Sequence, residues 1–145
     1  KTDSMSQQCL STDTSGTVYN FNREFVDVES IILSASATTS VTAVYDFKDV
    51  LLTGTYSVSS NVVTCNINAH GLIAGQKVKL TSTSGLMPNQ IVTVSTASTN
   101  SFTANCTSAN TSGNLQAYWQ SFRGYAFDSN GTRVTATVSA NVRGY

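Results

Sequence analysis

Residues 133–143 read RVTATVSANVR, and their alternation decides the fold class. Val134, Ala136, Val138, Ala140 and Val142 fall on one parity, while Arg133, Thr135, Thr137, Ser139, Asn141 and Arg143 fall on the other. A pleated strand sends successive side chains to opposite faces, so strict period two marks a ribbon with one face buried and one wet.

Working upstream, Asp128-Ser129-Asn130-Gly131 contains Asn-Gly, a strong short signal for a tight hairpin turn, and residues 118–127 are the expected partner strand. Val41, Ala43, Tyr45 and Phe47 share a face, which assigns Tyr45 and Phe47 to the core. Val18, Tyr19 and Phe21 lead into another strand-like run at 25–33. The middle of the chain offers short strand candidates at 55–58, 62–67, 76–80, 90–94 and 101–106, each bounded by Gly, Asn, Ser or Pro. Five short strands with close turns suggest a small barrel or curled sheet. No helical periodicity stands out.

The expected architecture is all-β: a β-sandwich (17–53 plus 114–145) interrupted by an inserted small β-barrel-like module (54–113). Residues 1–16 are polar, with Met5, Cys9 and Leu10 as the main apolar members, and read as an N-terminal arm or linker. The chain begins at Lys1 rather than Met, as a fragment or processed product would.

Composition narrows function. Of 145 residues, 40% are hydrophobic and 11% charged, with 8 Lys plus Arg against 8 Asp plus Glu. Phosphate recognition needs clustered cations, so nucleic acid is an unsuitable partner. No apolar run has the length of a membrane-spanning helix, and no membrane insertion is expected.

No catalytic constellation is visible. His70 is the single histidine, and a serine or cysteine nucleophile usually needs a positioned base. Its Ala-His-Gly setting suggests a ring bonded to local backbone. One His with scattered Cys falls short of the four ligands of a zinc site, so neither metal nor cofactor is implied. Asp46 and Asp49 bracket Lys48, and Asp27 and Glu29 share one strand face; charges on strand edges deter edge-to-edge pairing. Cys65 and Cys106 lie on the apolar parity of their strands and read as small buried hydrophobes, with a disulfide between them as the sharper alternative.

Aromatic residues give the best functional lead. Tyr118 and Trp119 adjoin the amides of Asn114, Gln116 and Gln120, a set suited to stacking on a sugar ring and bonding its hydroxyls. The competing reading packs Trp119 into the core or a subunit contact. Leu86 and Met87, in the loop 84–89, belong either to a loop packing on its own barrel or to a sticky tip in contact with a neighbouring subunit.

Residues 25–31 (FVDVESI), 41–50 (VTAVYDFKDV) and 122–145 (FRGYAFDSNGTRVTATVSANVRGY) resemble a small β-sandwich of bacteriophage tail proteins. The stretch between them resembles a β module found through phage structural proteins, whose marks here are Ala69-His70-Gly71-Leu72, Gly75-Gln76-Lys77-Val78 and Thr111-Ser112-Gly113-Asn114. The resemblance implies a virion protein of the tail tip, fibre or spike, extracellular on the mature particle. It implies a homo-oligomer, a trimer in particular, packed with other virion proteins and sometimes touching a host receptor. The outer sandwich also looks loosely like the H-type lectin fold, which implies a glycan-binding module as the alternative; a glycan-degrading enzyme is the weakest of the three readings.

Overall fold

The structure is a computed structural model and describes residues 1–36 and 40–145. Among the described residues it is built from strands, twelve in all: β1 (Thr2–Cys9), β2 (Thr17–Asn20), β3 (Val28–Ser36), β4 (Val41–Asp46), β5 (Leu52–Ser59), β6 (Val62–Asn66), β7 (Lys77–Ser82), β8 (Gln90–Ala97), β9 (Ser101–Asn105), β10 (Thr111–Trp119), β11 (Ser121–Asp128) and β12 (Ala136–Gly144). The all-β expectation holds, and so does the inserted barrel.

The chain divides into two compact units, Lys1–Phe47 with Ser121–Tyr145, and Lys48–Gln120. The first unit contains two three-stranded sheets, ordered β1-β12-β3 and β2-β11-β4. β12 keeps the alternation read from its sequence: Ala136, Val138, Ala140 and Val142 are buried. Tyr19 on β2 joins the two layers, since its hydroxyl lies 3.2 Å from the Val138 carbonyl and 3.1 Å from that of Gln7. The Tyr19 ring stacks on Phe122 at 4.9 Å and 8°. Phe21 meets Phe25 edge-on at 5.3 Å, an arrangement favoured by the ring quadrupoles.

Residues 1–16 differ from the expected arm. β1 pairs along its length with β12, from Thr2↔Arg143 to Cys9↔Ala136. Asp3 is buried, and its carboxylate accepts the Asn22 backbone N–H at 2.6 Å. The strand is polar because it lies at an edge and buries only part of one face.

The Asn-Gly turn also differs from its expectation. β11 and β12 lie in different sheets, so 128–131 does not join a two-stranded hairpin. Pairing starts, with Phe127↔Arg133 bridged and the Val134 N–H donating to the Ala126 carbonyl at 3.0 Å, and then stops. β12 continues into the opposite layer, where its apolar face finds the core. The Asp128 carboxylate accepts the backbone N–H groups of Asn130 and Thr132 and fixes the turn, a standard use of Asp.

The second unit is a closed barrel in the order β10-β5-β6-β9-β8-β7. Its limits, 48 and 120, lie outside the expected 54 and 113, because β10 closes the barrel by pairing with both β5 and β7. Closure leaves no open sheet edge. Tyr56, Val58, Val63, Cys65, Val78, Leu80, Val94, Phe102, Ala104 and Leu115 are buried in this unit. Gly54 on β5 is required by close approach: a Cβ there would collide with the Asn66 carbonyl oxygen.

Candidate functional site

The expected site centred on β10, and its alternation orders these residues. Leu115, Ala117 and Trp119 share one parity and are buried. Trp119 is 1% exposed, and its indole N–H donates to the His70 carbonyl at 3.1 Å. Its ring lies beside Gly71, where an added Cβ would sit 3.0 Å from Cζ2. Tyr118, on the other parity, is 7% exposed and donates its hydroxyl to the Asp49 carboxylate at 2.6 Å. Neither ring offers a face to a sugar, which corrects the stacking expectation: both polar tips bond inside the chain, and both ring bodies are covered.

The amides around them scatter. Asn114 is exposed, Gln116 half-buried and Gln120 buried. Gln120 donates through Nε2 to the Trp119 carbonyl at 3.2 Å. The five candidate residues therefore do not converge on one wet groove.

His70 is buried and bonded at both ring nitrogens. Nδ1 accepts the Leu72 N–H at 2.9 Å, so Nε2 carries the proton and donates to the Ser101 carbonyl at 3.0 Å. The ring meets Phe102 edge-on at 5.1 Å. The Leu72 bond is the local backbone role expected of an Ala-His-Gly turn, while the Ser101 bond reaches a strand 31 positions away. Gln76 has a parallel use that the sequence reading missed: it is fully buried, and its side-chain oxygen accepts the Ile73 N–H at 2.9 Å. Together His70 and Gln76 anchor the connection between β6 and β7.

Asp46 and Asp49 are likewise engaged. Asp46 pairs with Arg123 at 2.8 Å. Asp49 holds Tyr118, while the Lys48 ammonium donates to the Ala69 carbonyl at 2.8 Å. Asp27 and Glu29 are exposed. Among the described residues no group of three or more His, Cys, Asp or Glu side chains comes together as a metal site.

Leu86 and Met87 part company. Leu86 is 74% exposed at the tip of its loop, whereas Met87 is buried. Tyr56, also missed in the sequence, sets this: its hydroxyl donates to the Ser84 carbonyl at 2.8 Å and accepts the Met87 N–H at 3.3 Å. Tyr45 is half exposed and Phe47 half-buried, so the core assignment of that pair is corrected. Tyr45 lies on β4, an edge strand that among the described residues pairs only with β11, which covers it incompletely.

All three cysteines are free thiols, Cys9 and Cys65 buried and Cys106 partly so. The disulfide alternative is thereby set aside. Burial pushes the Cys65 thiol up to about 12, with nearby Cys106 adding to the rise. Cys9 and Cys106 are also raised by burial. A raised thiol carries little thiolate at neutral pH and is a poor nucleophile.

Comparison with protein-family models, with curated proteins and with solved structures finds no match. Function therefore rests on the residues themselves.

Proposed function

We propose that this chain is a structural component of a bacteriophage tail, at its tip, fibre or spike, acting in several copies on the outside of the mature particle. Its work is shape: two β units hold loops in fixed positions, and the loops contact other virion proteins and the host surface. Many copies convert weak single contacts into avidity.

The observation that supports this reading above its rivals is the inward use of the polar aromatic and imidazole groups near β10. Trp119, Tyr118 and His70 each bond within the chain. The same groups would have been the stacking platform of a glycan-binding module or the base of a hydrolase. A charge-poor composition, 11% charged and balanced in sign, suits a subunit held in an assembly rather than one steered to a charged partner.

Negative-stain imaging of virions labelled with antibody against this chain tests the proposal. Label confined to the tail is the expected result, and label on the capsid contradicts it. A glycan array tests the lectin-like alternative: binding to defined glycans would restore that reading, and silence across the array would leave the assembly role.

A further inference from the structure

The sandwich unit has four strands at sheet edges: β1 and β3 flank β12, and β2 and β4 flank β11. An edge presents a row of unpaired N–H and C=O groups, which proteins shorten, charge or cover to avoid unwanted pairing. Three of these edges show such protection. Along β1, Arg23 donates to the Thr2 carbonyl at 3.0 Å and Asn22 to that of Ser4, and just past its end Arg133 donates to that of Leu10 at 2.9 Å. β2 has 4 residues, and β4 has 6 and ends on the charged Asp46.

β3 is different. It runs for 9 residues, and Glu29, near its start, is its sole charge. The phase of the ladder shows what its outer edge presents. Lys1 and Gly144 exchange both backbone bonds, and in an antiparallel pair such positions alternate. Val142, Ala140 and Val138 therefore turn their backbone groups to β1. Arg143, Asn141, Ser139 and Thr137 turn theirs to Ser30, Ile32, Ser34 and Ser36 of β3. The backbone groups of Ile31, Leu33 and Ala35 point away from β12, and among the described residues of the sandwich unit no strand pairs with them. Beside this row, Ile32 is 63% exposed on the outer face.

We propose that β3 is the seat of a two-fold contact between two copies of this chain. β3 pairs antiparallel with β3 of the second copy, Leu33 facing Leu33 and Ile31 facing Ala35, and the sheet β1-β12-β3 continues across the axis as six strands. The occupant is a second copy because the edge complements itself. The row from Ile31 to Ala35 carries no charge, antiparallel pairing places the two Glu29 carboxylates at opposite ends, and exposed Ile32 meets the small Ser34. The formal net charge of +0 adds no long-range repulsion. Isologous pairing closes with two copies, so this contact makes a dimer and not the trimer implied by family resemblance. The inference stands on edge geometry and is independent of the tail assignment.

The test uses the full chain, sedimentation velocity over a concentration series, and residue-resolved hydrogen exchange. The wild type is expected to dimerise, with the Ile31, Leu33 and Ala35 amides gaining protection as dimer accumulates. Ile32→Lys alters an exposed side chain and places two ammonium groups near the axis; dimerisation is expected to weaken by about tenfold or more while the β circular dichroism spectrum stays unchanged. The proposal is overturned by a wild type that stays monomeric or forms a trimer, by a dimer whose three amides exchange at a concentration-independent rate, or by a folded I32K that dimerises as tightly as wild type. Should I32K misfold, the wild-type exchange pattern decides alone.

Discussion

Trp119 donates its indole N–H to the backbone carbonyl of His70 at 3.1 Å, in a site where both residues are buried. The bond ties the last residue of β10 to the turn after β6, so barrel closure and the His70 turn depend on each other. Trp119→Phe keeps most of the ring and leaves a buried carbonyl without its donor, an expected loss of about 1–3 kcal/mol. Trp119→Ala adds a cavity and is expected to lose about 3–5 kcal/mol. Urea unfolding midpoints for the two variants measure the difference.

His70→Ala is a test of histidine as scaffold. It strands the Leu72 N–H and the Ser101 carbonyl together, at an expected cost of about 2–4 kcal/mol. Imidazole nitrogen shifts by NMR should show the proton on Nε2. A proton resting on Nδ1 would contradict the bonding described here.

Tyr19 makes a separate prediction in the sandwich unit. Its hydroxyl reaches the Gln7 and Val138 carbonyls across the layers, so Tyr19→Phe should cost about 1–2 kcal/mol with no change in fold. Gly124 underlies the same ring: an added Cβ would lie 2.8 Å from Tyr19 Cε1. Gly124→Ala should therefore destabilise more than Tyr19→Phe, and paired thermal melts compare them.

Alkaline pH should unfold the chain ahead of any loss of peptide integrity. Cys65 ionises near its ordinary 9.0 when unfolded but is pushed to about 12 in the fold by burial. The unfolded chain thus holds fewer protons above pH 9, and stability falls as pH rises from 9 toward 12. Its contribution is complete below pH 9. Cys65→Ala should flatten this decline, leaving the part due to Cys9, Cys106 and Tyr19, which burial also raises. Melting temperature against pH for both proteins is the measurement.

Period-two alternation made β12 and the barrel strands legible, because each buries one face and wets the other. Other parts were harder for identifiable reasons. β1 carries Thr2, Ser4, Ser6 and Gln8 on its outer face and buries mainly Asp3 and Cys9, so its pattern is nearly polar throughout. The Asn130-Gly131 turn was readable as a turn, but local sequence does not say that β12 will cross to another layer. In the candidate site, the parity of Leu115, Ala117 and Trp119 already pointed Trp119 inward. Tyr118 had no such signal, since the partner of its hydroxyl, Asp49, lies 69 positions away. The roles of Gln76 and Tyr56 rest on bonds to loop backbone that composition does not reveal.

Trp119 and Tyr118 are engaged by the fold rather than offered to a ligand, and the single tryptophan makes this directly measurable. Emission from Trp119 in the native chain should be blue-shifted, resist acrylamide quenching and stay unchanged as a panel of glycans is titrated in. Red-shifted, readily quenched emission, or emission that moves on adding a sugar, would contradict the account.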